Sequence, residues 1–254
     1  MANRFCLLVA ILVAAVAVTP ADAAELTVLS AGAVRSIVAE LTDAFARETG
    51  HTVKISYAPV GVIRQKLGAG EKADVVIMTD AAVDDMARQG AVVMGSRTDV
   101  GRTGMGVAVR EGAPRPDVST PEALKQALLA AKSIVYVDPA QGATSGIHFA
   151  SVLQRLGIAD AMKPKTTLVP GGYPAELVAK GEVELVAHQI SEIVPVKGVT
   201  LVGPLPKDLQ KLTVYSAGVV AQSDAPNLAR DYVKYLTRPD LKPKFAQAGL
   251  DYRE

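Results

Sequence analysis

Several residues of this chain can act on an anion, and they stand where a strand gives way to a helix. Leu26-Thr27-Val28-Leu29 runs into Ser30-Ala31-Gly32-Ala33-Val34-Arg35, and an amphipathic run follows to Gly50. Small residues in such a loop leave backbone N–H groups facing outward at a helix N-terminus, where free donors and the helix dipole hold negative charge. Arg35 adds a full charge to a site that dipoles alone would serve. A cation in the first turn opposes the dipole, so the guanidinium is best understood as facing a carboxylate, which its fork holds in a bidentate pair.

A counterpart lies further on. Gly142-Ala143-Thr144-Ser145-Gly146 follows an apolar strand and opens another helix. Thr144 and Ser145 offer hydroxyls beside free N–H groups, although plain N-capping needs only one of them. Pro59-Val60-Gly61 precedes a third helix that carries Arg64, a residue suited to the surface as much as to a ligand. Thr79 can donate to an anion, and Asp80 suits a helix cap. Tyr173, in Gly171-Gly172-Tyr173-Pro174, can donate its hydroxyl, and His188-Gln189 ends a strand within reach of the same region. His148, in the first turn of its helix, is held neutral by the dipole and is a candidate base, with His188 behind it. His51, between a helix and a strand, reads as surface.

These residues need elements to hold them. Leu26–Leu29, Val53–Tyr57, Val75–Met78, Gly106–Val109, Ile134–Val137, Leu185–Ala187 and Val214–Val220 read as strands. Ile37–Arg47, Val62–Leu67, Ala81–Gln89, Pro121–Ala130, Ser145–Leu156, Pro174–Lys180 and Asn227–Leu236 read as helices. In the first helix Ile37, Val38, Leu41, Ala44 and Phe45 recur at helical spacing. The alternation predicts an α/β fold with parallel sheets. Two lobes are expected, residues 24–104 with 214–254 and residues 105–213, with a ligand cleft between them.

The chain begins with a basic start, an apolar stretch from Phe5 to Val18 and a small-residue site at Ala21-Asp22-Ala23. That is the pattern of a cleaved signal peptide over residues 1–23, and the apolar stretch falls short of the roughly 20 residues of a membrane span. Cleavage removes Cys6, the one cysteine, so the exported protein relies on its core rather than on disulfides. Of 254 residues, 27 are Lys or Arg and 26 are Asp or Glu. Such a balance argues against a nucleic-acid or membrane-surface partner. Three scattered histidines offer no zinc-type spacing, so neither a metal nor a cofactor is expected.

Over nearly its whole length after the leader, the chain resembles the molybdate-binding type of periplasmic solute-binding proteins. The resemblance rests on Leu26–Arg35, on Phe45-Ala-Arg-Glu-Thr-Gly-His-Thr-Val, on Gly68-Ala-Gly-Glu-Lys-Ala-Asp-Val-Val-Ile, on Asp138-Pro139, on Ser145-Gly146 and on Lys180-Gly-Glu-Val-Glu. It implies a two-lobed periplasmic binding protein fold of type II, a monomer in the periplasm, and a ligand handed to an ABC-type inner-membrane permease. The departures carry information. The family's first-loop serine aligns with Ala33, its second-loop Ser-Ser-Gly with Pro59-Val60-Gly61, and its second-lobe tyrosine with Gln189. Three hydroxyl donors are absent, and unpaired groups in a dry site cost roughly 1–3 kcal/mol each. The expected ligand is therefore a small organic anion, a di- or tricarboxylate rather than molybdate. Its contacts are expected at Ala33, Arg35, Val60, Gly61, Thr79, Thr144, Ser145, Tyr173 and Gln189. Two functions fit: a binding protein for an importer, or a cofactor-independent aconitate isomerase, an activity found in this branch of the family, with His148 as base.

Overall fold

The structure, a computed structural model, describes residues 23–252. The leader read over residues 1–23 lies outside these apart from its last residue. Among the described residues no helix is long and apolar enough to cross a membrane.

The first lobe is built on β1 (Glu25–Ala31), α1 (Arg35–Thr49), β2 (Thr52–Ala58), α2 (Val60–Gly68), β3 (Val75–Thr79), α3 (Asp80–Arg88) and β4 (Thr98–Thr103). The second carries β5 (Met105–Arg110), α4 (Pro121–Ala130), β6 (Ile134–Val137), α5 (Thr144–Arg155), α6 (Ala159–Met162), β7 (Thr166–Val169), α7 (Ala175–Ala179), β8 (Leu185–Gln189), α8 (Ile190–Ile193) and β9 (Val199–Pro204). The chain then returns to the first sheet with β10 (Thr213–Val219), α9 (Pro226–Leu236), α10 (Lys242–Gln247) and β11 (Asp251–Tyr252).

The sheet orders are β11-β4-β10-β3-β1-β2 and β7-β6-β8-β5-β9. Each has a parallel centre: β1 pairs in parallel with β2 and β3, and β6 with β7 and β8. The expectation of parallel sheets holds only there. β10 runs antiparallel to β3 and β4, and β5 runs antiparallel to β8 and β9. These reversals accompany the chain's passage between sheets. β4 leads through Gly104 into β5, and β9 leads through residues 205–212 into β10.

The core follows from the apolar periods. Ile37, Val38, Leu41 and Phe45 form the buried stripe of α1, which packs on a strand buried continuously from Val28 to Ala31. Gly50, at φ +76°, ends the helix in the left-handed conformation that glycine adopts without a Cβ penalty. Phe45 meets Tyr232 and Tyr235 of α9 edge-on, each at 5.2 Å between ring centroids. The C-terminal segment is thereby fixed to the first lobe.

The two passages between lobes are clasped by one side chain. Gln210 accepts from the Met105 amide through Oε1 and donates to the Met105 carbonyl through Nε2, both at 2.8 Å. A Cβ on Gly104 would lie 2.9 Å from the side-chain amide nitrogen of Gln210, so the glycine lets the two passages lie close together.

Candidate functional site

A cleft of about 270 Å³ opens between the lobes. Drug-sized ligand pockets run about 300–1,000 Å³, so its occupant is small. The first lobe supplies Ala31 to Ala33, Arg35, Tyr57 to Val60 and Tyr215; the second supplies Val137, Ala143 to Ser145, Pro170 to Gly172, His188 and Glu192.

Helix starts converge on this cleft. A 3-10 turn over Gly32–Val34 leads into α1, and neither it, α2 nor α5 has a side-chain cap. Elsewhere Thr79 caps α3 and Thr120 caps α4. Uncapped N–H groups beside a cleft are donors for an anion. Gly146 brings α5 down onto β6, since a Cβ there would stand 2.0 Å from the Val137 carbonyl oxygen.

Arg35 lies between two aromatic faces. Its guanidinium carbon is 4.5 Å from the Tyr57 ring centroid and 5.2 Å from that of Tyr173. One ring belongs to each lobe. Cation–π contacts are worth about 0.5–2 kcal/mol each, the larger value when desolvated. Burial pushes the Tyr57 hydroxyl up to about 12, against the opposing pull of Arg35. Tyr173 is raised for the same first reason.

His188 also lines the cleft and is 2% exposed. Its Nε2 is 3.3 Å from a carboxylate oxygen of Glu192, which is itself buried. That separation is an ion-pair contact, yet it falls outside hydrogen-bond geometry, and neither ring nitrogen has a hydrogen-bond partner. Catalytic hydrogen bonds in ligand-free sites are often long and tighten only when substrate binds. The Tyr215 hydroxyl reaches over from the first lobe and accepts from Gln189 Nε2 at 3.2 Å. Burial raises it strongly, and the Glu192 charge adds to the shift.

The residues expected at the site divide. Ala33, Arg35, Val60, Thr144 and Ser145 line the cleft. Tyr173 flanks Arg35 from outside the lining. Gln189 lies behind Tyr215. Gly61 is a contact between lobes: its amide donates to the Gly142 carbonyl at 3.2 Å. Thr79 accepts from the Ala82 amide and does not line the cleft, so the capping expected of Asp80 falls to Thr79. Arg64 is paired with Asp85, and His51 accepts from the Ala24 amide.

His148, the base candidate, is not part of the lining. Its Nε2 is 2.8 Å from the Leu209 carbonyl oxygen, so its place on α5, one turn into the helix, directs it to the segment joining the lobes. Burial lowers its proton affinity, and Lys211 and Arg155 lower it further against the Leu209 carbonyl. Of the three histidines, it is His188 that lines the cleft. Sequence reading did not single out Glu192, Tyr215 or Tyr57. Only Glu192 carried a signal, four residues after His188.

A family model described as bacterial extracellular solute-binding protein matches residues 26–251. The chain is 36% identical over 242 residues to an aconitate isomerase from Pseudomonas sp., covering 91% of both chains. It is 26% identical to the molybdate-binding protein ModA of Escherichia coli (strain K12), covering 91% of this chain and 90% of the other. Among solved structures, the Azotobacter vinelandii periplasmic molybdate-binding protein matches with a TM-score of 0.74 at 19% identity, over 90% of this chain and 100% of that one.

Proposed function

The chain belongs to the bacterial extracellular solute-binding proteins, and from that premise we propose that its cleft binds aconitate and interconverts the cis and trans isomers by proton transfer. One observation carries this reading: a buried imidazole with both nitrogens unpartnered lines the cleft beside a carboxylate. An unsatisfied buried polar group costs roughly 1–3 kcal/mol. His188 is left with both ring nitrogens unpartnered where it lines a small cleft beside a carboxylate, and that combination of an unsatisfied titratable group and a cleft supports a functional role. A protein that only captures an anion has no need of a base.

The substrate end follows from Arg35. Two rings hold its guanidinium between them, and a planar fork suits a flat carboxylate better than a tetrahedral oxyanion. Uncapped starts of α1, α2 and α5 supply donors for the remaining carboxylates. The similarity to an aconitate isomerase names the unsaturated tricarboxylate that matches this chemistry.

His188 takes a proton from the methylene carbon of aconitate. The released electron pair enters the allylic system, the double bond moves by one carbon, and the charge spreads onto the carboxylate held by Arg35 and the helix starts. The proton is then returned at the far allylic carbon. No redox change occurs. General-base and electrostatic stabilisation divide the work, the base contributing about 10²–10⁴-fold.

Incubation of purified protein with trans-aconitate, followed by proton NMR, tests the proposal. Appearance of cis-aconitate supports it. Ligand-induced thermal stabilisation without turnover assigns the cleft to capture for a permease instead, the role implied by likeness to the molybdate binders.

A further inference from the structure

Glu192 lies on α8 of the second lobe, but it reaches the loop of the first. A Cβ placed on Gly32 would stand 2.6 Å from Glu192 Oε1 and 3.6 Å from its Cδ. The other carboxylate oxygen faces His188 Nε2 at 3.3 Å. One buried carboxylate therefore touches the opening loop of one lobe and the base of the other.

We propose that Glu192 is a positioning residue for His188, and that Gly32 of the facing lobe is the seat that admits its carboxylate. This rests on the reading of the cleft as an isomerase site. The carboxylate beside Nε2 keeps the imidazole proton on that nitrogen and leaves the Nδ1 lone pair free as the accepting base. Any side chain at position 32 displaces the carboxylate. The loop residue conspicuous only for its smallness thus acquires a part in the chemistry. Gly32 is not among the glycines with positive φ, so its backbone conformation alone does not demand glycine.

The test is a double-variant cycle with two readouts. Gly32→Ala, Glu192→Gln and the combined variant are compared for kcat and KM with trans-aconitate, and the ring nitrogens of His188 are observed by long-range proton–nitrogen-15 NMR. The expected result is a loss in kcat of about 10²-fold in each single variant, with KM unchanged. The combined variant should be no worse than either alone, because both changes act through one carboxylate. The spectrum should move from the Nε2–H tautomer towards a mixture in all three.

Gly32→Ala with the wild-type kcat and spectrum overturns the proposal, as do losses that multiply in the combined variant. If Gly32→Ala does not fold, Glu192→Gln adds no bulk, and an unchanged His188 tautomer there overturns it equally. A wild-type protein without turnover defeats the isomerase reading. The spectrum would still show whether Gly32 and Glu192 set the state of His188.

Discussion

The Gly61 amide of the first lobe donates to the Gly142 carbonyl of the second at 3.2 Å. A Cβ on Gly61 would lie 2.7 Å from the Gly142 Cα and 2.8 Å from the Gln141 carbonyl oxygen. Both obstacles are backbone and cannot swing aside. Gly61→Ala should hold the lobes apart, enlarging the radius of gyration in small-angle scattering. It should weaken carboxylate binding by about tenfold, which corresponds to about 1.4 kcal/mol. An unchanged radius and affinity would show that the lobes do not need this contact.

Arg35 provides a sharper test of ligand chemistry. Arg35→Lys keeps the charge but loses the planar fork and its fit between Tyr57 and Tyr173. Calorimetry should find tricarboxylate affinity reduced by about tenfold or more. Equal affinity in the lysine variant would reduce Arg35 to a point charge.

Tyr57 carries a buried hydroxyl without a hydrogen-bond partner. Tyr57→Phe keeps the ring under Arg35 and removes the unsatisfied oxygen, so thermal unfolding should show equal or greater stability. The hydroxyl is raised from 10.0 to about 12 in the folded protein. A raised group contributes stability that is fully present below its unfolded value and is lost as pH rises through the folded one. Stability should therefore fall between about pH 10 and 12, and Tyr57→Phe should remove part of that fall. Tyr232, raised further by its burial, extends the loss above that window.

His148 sets an acid limit of another kind. Its proton affinity is lowered from 6.5, chiefly by burial. A lowered group contributes stability present above the unfolded value and lost as pH falls through the folded one. Unfolding measured below about pH 6.5 should show this loss in the wild type, and His148→Gln should reduce it. Aconitate turnover should survive the same change, because His148 bonds Leu209 rather than lining the cleft.

Local patterns carried much of the fold. The stripe of Ile37, Val38, Leu41 and Phe45 and the run around Val28 are written in their own periods. β4 was not legible, because Thr98-Asp-Val-Gly-Arg-Thr has no apolar period and is a strand through its pairing with β10 and β11. β7 and β9 are edge strands whose pattern is half-exposed. At the site, loop residues such as Ala33, Arg35 and Thr144 could be read because a helix start announces its own direction. Tyr215 could not, since its strand returns from far along the chain to face the cleft. His148 and His188 illustrate the same limit: both follow strand–helix signals, and only tertiary packing decides which one meets the ligand.

The central claim is that His188 moves the proton. Wild-type protein and His188→Gln, each saturated with trans-aconitate, are followed by proton NMR for the appearance of the cis isomer. Turnover is expected in the wild type and its loss in the variant, with trans-aconitate still bound by both. Undiminished isomerisation by His188→Gln would contradict that claim.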